Sequence, residues 1–166
     1  MAKRFNLRTM SLGDVDQVVE IYAQAYSADY ISFSELAAGL AEAPGVIAEE
    51  AIDIFQDDLI EILTESSAGN FVAEDKGDVV GFAMGSLEEA PAGHMECWLN
   101  DLCVLPSYQG QSLGKQLIDA VVEWGKLNNV KYVLLESGIK NAKSHQLFES
   151  VGFQPMATVF HLDTRS

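Results

Sequence analysis

The residues of this sequence best suited to chemistry lie between Asn100 and Ile118, where an apolar run, a loop bearing two glycines and an amphipathic stretch follow one another. The run Leu102–Leu105 has the length of a strand, and Pro106 ends it because proline has no N–H to give to a ladder. Beyond the loop, Leu113, Leu117, Ala120, Val121 and Trp124 recur at helical spacing. The loop Gln109-Gly-Gln-Ser-Leu-Gly114 therefore opens a helix, where free N–H groups and the positive end of the dipole favour an anion. Gly110 and Gly114 would let a bulky phosphate approach the main chain. Two common phosphate loops are excluded. A Walker loop needs four residues between Gly and Gly-Lys and then Ser or Thr, but only Gln111, Ser112 and Leu113 separate Gly110 from Gly114, and Gln116 follows Lys115. No G-x-G-x-x-G occurs, so the dinucleotide fingerprint fails as well.

The elements that must hold this loop follow from periodicity and turn signals. Phe5–Met10 reads as a strand, and Asp14 or Ser11 caps a helix reaching about Tyr26. A second helical region spans roughly Ser34–Leu63 and is interrupted near Pro44-Gly45. Asn70–Asp75 and Asp78–Leu87 are expected as strands joined by a hairpin at Lys76-Gly77. Met95–Leu105 is the next strand, followed by a helix Gln111–Leu127 that stops at Asn128-Asn129. A strand Lys131–Glu136, a helix Asn141–Val151 and strands at Phe153–Pro155 and Thr158–Leu162 complete the chain. A helical crossover between the strands near 102 and 133 implies a parallel pair within a mixed sheet.

Composition bounds the function. A chain of 166 residues, 48% of them hydrophobic and without a Pro/Gly/Ser-rich linker, is expected to form a single domain over 1–166. The N-terminus lacks the apolar stretch of a signal peptide, and no apolar run is long enough for a membrane span, so a cytoplasmic protein is expected. Cys97 and Cys103 stand on one predicted strand about 20 Å apart at ~3.3 Å per residue, too far for a disulfide. His94, His145 and His161 lack metal-ligand spacing, and no metal is expected. Formal net charge is −15, and from Thr9 to Asp75 there are fifteen Asp or Glu and no Lys or Arg. Nucleic-acid binding by phosphate neutralisation is thereby disfavoured. Glu50, Asp53, Asp57 and Glu61 make one acidic helix face, which is either a solvated surface or the border of a cleft that attracts a cation.

The loop resembles the cofactor motif of the GNAT superfamily of acyl-CoA-dependent N-acyltransferases: Gln or Arg, two residues, Gly, one residue, then Gly or Ala. Gln109 and Gly114 match its ends, and Ser112 stands where the central glycine is usual. Asn141-Ala-Lys-Ser-His-Gln-Leu-Phe-Glu-Ser-Val-Gly-Phe153 resembles the same family's C-terminal helix and following strand, with Phe148 in place of the usual Tyr. The two matches cover roughly residues 98–155. Val104-Leu-Pro-Ser107, Lys115-Gln-Leu-Ile118 and Trp124-Gly125 are also similar to aminoglycoside 6′-N-acetyltransferases, in the cofactor half only.

The resemblance implies an α/β (α+β) GNAT fold, a mixed central sheet of about seven strands flanked by helices, with one splayed parallel strand pair. It implies transfer of an acetyl group from acetyl-CoA to a primary amine of a small cationic molecule, by direct attack in a ternary complex. A CoA-binding sensor or regulatory subunit of the same fold is the alternative. Backbone groups of Leu102, Cys103 and Val104 would hold the pantetheine arm. Gln109, Gly110, Gln111, Ser112, Leu113, Gly114 and Lys115 would hold the pyrophosphate. Asn141, Ser144 and Phe148 would line the thioester end. Glu96, Asp101 and Glu136 are the candidate bases, acting directly or through water. Relatives often carry Glu where this chain has the amide Asn100, which leaves neighbouring Asp101 the strongest claim. Phe148 has no proton to give, so Ser144 or His145 would serve the departing thiolate, unless no acid is needed. Tyr26, Tyr30, Asp53, Asp57, Asn100 and Glu136 are the candidate acceptor contacts. A homodimer is one expected arrangement, with Thr158–Leu162 as its contact edge.

Overall fold

The structure, a computed structural model, describes residues 3–164. The chain lays down β1 (Asn6–Thr9), α1 (Val15–Ala25), α2 (Phe33–Ala37), the short strands β2 (Ala41–Ala43) and β3 (Val46–Ile47), and α3 (Ala51–Glu65). There follow β4 (Asn70–Asp75), β5 (Asp78–Glu89), β6 (Met95–Val104), α4 (Leu113–Leu127), β7 (Tyr132–Leu135) and α5 (Ala142–Ser150). One sheet has the order β1-β4-β5-β6-β7. Its first three pairings are antiparallel, and β6 and β7 are parallel because α4 carries the chain back across the sheet. Lys76 (φ 56°) and Gly77 (φ 94°) turn the β4–β5 hairpin, the left-handed pair a two-residue turn demands.

The α/β class is as expected, with differences in the sheet. It has five strands rather than about seven. Pro44-Gly45 does more than interrupt a helix: Gly45 (φ 80°) reverses the chain between β2 and β3, which form a separate hairpin. The expected strands Phe153–Pro155 and Thr158–Leu162 do not form within the chain. Strand composition alone cannot hold them, since a strand exists only against a partner edge.

Helices cover both faces of the sheet. Val18, Ile21 and Tyr22 of α1 and Phe55, Leu59 and Leu63 of α3 pack on one face with Val72 and Phe82. Leu113, Leu117, Ile118 and Val121 of α4 pack on the other with Val80, Ala83, Cys97 and Leu99. Burial of each such side chain is worth roughly 1.5–3 kcal/mol. Cys97 and Cys103 are free thiols on opposite sides of the sheet. Arg8 ties the N-terminal layer together, donating to Asp14 Oδ1 and Oδ2 at 2.7 and 2.8 Å and to Glu74 Oε1 at 2.8 Å. Among the described residues no helix is long and apolar enough to cross a membrane.

A single irregularity in β6 decides which side chains face α1 and α3. Met84 faces Asp101 and Gly85 faces Leu99, so Asn100 is an extra residue, a bulge. Before it, Cys97 and Leu99 point to the α4 side, and after it Leu102 and Val104 do. The bulge thus shifts the alternation by one residue and places Asp101 with Cys103 on the side of α1 and α3. Without it, Asp101 would point into the α4 core.

Candidate active site

Two strands that part create the site. β6 and β7 pair from Glu96/Tyr132 to Leu99/Leu135, where β7 ends, while β6 continues to Val104. Past Leu99, β6 is paired with β5 alone, and its other edge faces a cleft. Such an edge carries backbone donors and acceptors ready for an extended ligand.

At the far end of β6 the loop enters α4 in a left-handed conformation: Gly110 has φ 76° and Ser112, the residue before the helix, φ 63°. No side chain caps α4, which leaves its first-turn N–H groups available to an anion. The two glycines differ in surroundings. Gly110 opens on free space, whereas a Cβ on Gly114 would sit 2.9 Å from the end of the Leu147 side chain, so Gly114 also lets α4 pack closely against α5. Lys143, not singled out from sequence, reaches from α5 to Gln109 Oε1 at 2.5 Å and adds a cation beside the loop. Lys115 instead pairs with Asp119 at 2.7 Å on the same helix.

The cleft has two adjoining lobes, both open to solvent, that share Glu35, Leu99, Asn100, Asp101 and Glu136. Tyr22, Tyr26, Tyr30, Asn141, Ser144 and Phe148 line the first, and Asp58 and Trp98 the second. Gly138 follows Ser137, which lines the first lobe: a Cβ on Gly138 would lie 2.4 Å from the Asp29 carbonyl oxygen and 2.6 Å from that of Ile31. Only glycine lets the segment after β7 touch the segment carrying Tyr30. Tyr22 stacks between Phe55 at 3.8 Å and Tyr26 at 4.8 Å, which holds its ring rigidly.

Electrostatics single out Asp101. It sits on the floor of the cleft, open to it on one side and otherwise enclosed by protein. Burial raises its carboxyl from an ordinary 3.8 to about 7, and the charges of Glu35 and Asp58 add to the effect. Burial also pushes the Cys103 thiol up, with Asp101 adding to it. Tyr26 is raised to about 12, mainly by burial. For Glu136 burial works upward but is outweighed by hydrogen bonds from Ser32, Ser34 and the Phe33 backbone, and the carboxyl is held below its ordinary value. Its Oε1 accepts the Ser34 N–H at 3.0 Å at the start of α2.

Buried polar atoms point to the same cleft. Among the described residues, the buried side-chain atoms without a hydrogen-bond partner are the Tyr22 hydroxyl, the Trp98 indole nitrogen and the Ser137 hydroxyl. All three belong to cleft-lining residues. Each such atom left unpaired costs about 1–3 kcal/mol, a cost a polar ligand would remove.

Several expected site residues lie elsewhere or do other work. Glu96 pairs with His94 at 2.9 Å, opposite Tyr132 and away from the cleft. His145 does not line the cleft, because α5 turns Ser144 and Phe148 inward instead. Asp53 and Asp57 are exposed on the outer face of α3, and the acidic side chains that the helices α2 and α3 do turn to the cleft are Glu35 and Asp58. Glu136 reaches the cleft as a low-pKa anion engaged with the start of α2, an environment ill suited to a base. Asp58 was legible only as the neighbour of the core residue Leu59. Glu35 was masked because α2 is a five-residue helix whose periodicity is too short to read.

Residues 19–153 match the model of the Acetyltransferase (GNAT) family. The chain belongs to this family. An N-alpha-acetyltransferase of Sulfurisphaera tokodaii is 25% identical over 96% of this chain and 86% of its own length. Aminoglycoside N(6′)-acetyltransferase type 1 of Salmonella typhimurium is 28% identical over 57% of this chain and 68% of its own. The aminoglycoside N-acetyltransferase AAC(6′)-Iy, solved with CoA, shares the fold with a TM-score of 0.68 at 18% identity, over 100% of this chain and 98% of that one.

As a GNAT acetyltransferase the chain is an acyl-CoA-dependent N-acyltransferase, and its cofactor is acetyl-CoA. The residues present fit that cofactor. The unpaired edge of β6 suits an amide-bearing arm, and the uncapped start of α4 with Gly110, Ser112 and Lys143 suits a pyrophosphate.

Proposed function

We propose that this acetyltransferase acts on a primary amine of a small, cationic, hydroxyl-bearing molecule of the amino-sugar kind, with Asp101 as the base. The observation that carries the reading is the pairing of a carboxyl near pKa 7 with unpaired buried donors on the same cleft walls. Asp101, Glu35, Asp58 and Glu136 line the cleft and attract a cation. Indole N–H groups donate only, so Trp98 calls for an oxygen acceptor on the ligand, which a simple polyamine lacks. The named activity of the Salmonella relative is consistent with this choice.

When bound, acetyl-CoA supplies an activated acyl carbonyl. Asp101, about half ionised at neutral pH and more fully above it, accepts a proton from the incoming ammonium directly or through one water. The freed amine forms a C–N bond as the C–S bond breaks, and N–H groups on the open edge of β6 donate to the carbonyl oxygen as charge gathers there. The departing sulfur would be protonated by the second proton lost from the amine nitrogen, carried through solvent or relayed by the Ser144 hydroxyl, which takes that proton as it gives up its own and interacts with the hydroxyl of Tyr30. Phe148 contributes packing and no proton. We further place the protein in the cytoplasm, as a single domain.

The test is a panel of amines followed by thiol release: amino sugars, polyamines, an N-terminal peptide and a neutral amine. Amino sugars are expected to give the highest kcat/KM, with KM rising with ionic strength and in a Glu35→Gln, Asp58→Asn variant. A preference for the peptide, or a salt-insensitive KM, would contradict the reading. The substitution of Phe148 for tyrosine favours a second reading, a CoA-binding sensor, which predicts tight CoA binding and no turnover on any amine.

A further inference from the structure

The two lobes of the cleft divide the reaction between them. Tyr30, Cys103, Asn141, Ser144 and Phe148 line the first lobe and not the second, whereas Asp58 and Trp98 line the second and not the first. Leu99, Asn100 and Asp101 lie at the junction. A cofactor arm running from the start of α4 along the open edge of β6 reaches that junction through the first lobe. The acyl carbonyl then comes to Asp101, and the sulfur stays behind it in the first lobe. The sulfur leaves with a proton, and Phe148 has none to give.

Tyr22, Tyr26 and Tyr30 all line this lobe, and they are not equivalent. The Tyr26 hydroxyl donates to the Leu40 carbonyl at 3.4 Å. That of Tyr22 is buried, on a ring stacked between Phe55 and Tyr26. Burial raises all three phenols; on Tyr22 and Tyr26 the charge of Asp101 adds to it, whereas on Tyr30 Cys103 adds and the Ser144 hydroxyl opposes. Tyr30 thus stands with Ser144 on the α5 side of the lobe, away from the base. Its backbone is anchored twice to the segment that follows β7. Gly138 meets the carbonyls on either side of Tyr30, and Glu136 accepts the Ser34 N–H at 3.0 Å just beyond. A phenol held in this way is positioned before the donor arrives.

We infer that Tyr30 is the acid of the reaction, giving its hydroxyl proton to the departing sulfur while Ser144 recharges it. This rests on the direct transfer proposed above. After attack, the cationic nitrogen of the adduct must lose its second proton to become an amide. Ser144 Oγ takes that proton directly or through one water, the Ser144 proton passes to Tyr30 Oη, and the Tyr30 proton joins the sulfur. The C–S bond breaks with its electron pair on sulfur, and both hydroxyls end as they began. A phenol ordinarily ionises near pH 10 and burial raises this one further, so Tyr30 keeps its proton at neutral pH until the sulfur claims it. The acidity of the adduct nitrogen drives the relay, so no phenolate accumulates. An acid delivered from the segment before α2 leaves position 148 free to be phenylalanine.

Steady-state kinetics with acetyl-CoA and the best amine of the panel, beside calorimetry with CoA, test this. Tyr30→Phe keeps the ring and removes one oxygen. It is expected to lower kcat by about 10²-fold, with acceptor KM and CoA affinity as in the wild type. Ser144→Ala is expected to lower kcat less, since water can stand in for its hydroxyl. The double variant is expected to be no slower than Tyr30→Phe alone, because both groups serve one proton path. A Tyr30→Phe kcat within about tenfold of the wild type would overturn the inference. So would a loss that appears in KM or in CoA affinity instead of kcat. Losses that multiply in the double variant would give the two hydroxyls separate roles and overturn the relay. A wild-type protein that releases no thiol with any amine would overturn direct transfer itself, and the role of Tyr30 with it.

Discussion

Asp101→Asn is expected to make the protein more stable and less active at once. The rise from 3.8 to about 7 means that the cleft disfavours the anion, and at about 1.4 kcal/mol per pH unit the gap is worth at most about 4 kcal/mol. Water entering the open side of the cleft screens part of this, so about 2 kcal/mol is the working figure. The folded state holds the proton between about pH 4 and 7 while the unfolded state has released it, so stability falls as pH rises through that window. Asparagine has no charge to lose. The variant is therefore expected to match the wild type near pH 4 and to melt roughly 4–8 °C higher at pH 8. Its kcat/KM is expected to fall by about 10²–10⁴, and the acid limb near pH 7 to disappear. Thermal melts across pH, beside thiol-release kinetics on the same preparations, check both halves. Equal melting differences at acid and alkaline pH, or a kcat/KM within tenfold of wild type with the acid limb intact, would refute the reasoning.

Arg8→Ala leaves the buried Asp14 carboxylate without its two-pronged partner and is expected to cost about 3 kcal/mol in urea unfolding at neutral pH. Hydrogen bonding to Arg8 holds Asp14 down at about 2, so this contribution is present above about pH 4 and is lost as pH falls through 2; the penalty should shrink in acid. Ser112→Gly relieves a left-handed serine (φ 63°) and is expected to raise stability by up to about 1 kcal/mol in thermal melts, with CoA affinity unchanged or tighter by calorimetry. Phe148→Tyr is expected to leave turnover within about tenfold, or ~1.4 kcal/mol of barrier; a gain of several hundredfold would mean that the native chain is a weak catalyst and favour the sensor reading.

The parts of the fold legible in the sequence were those set by local chemistry. Lys76-Gly77 marked a hairpin, Asn128-Asn129 ended α4 with Asn129 at φ 56°, and the crossover through α4 implied the parallel pair. Features set by long-range contact were not legible. The bulge at Asn100 depends on how β6 meets β5, and it alone decides that Asp101 faces the cleft. Glycine spacing marked Gly114, but its packing against Leu147 emerged only in three dimensions, and Gly138 carried no motif at all. On α3 periodicity found the acidic face correctly, yet a helix has two flanks beside its core stripe. The one over the cleft holds Asp58, not Asp53 or Asp57.

The most direct test of acetyl transfer by Asp101 is to incubate the protein with acetyl-CoA and an amino sugar and to count, by mass spectrometry and thiol titration together, the acetyl groups on the amine and the thiols released. One acetamide per thiol, formed only with amine present and suppressed in Asp101→Asn, is the predicted result. CoA binding without any acetylated amine, across amino sugars, polyamines and peptides alike, would contradict it.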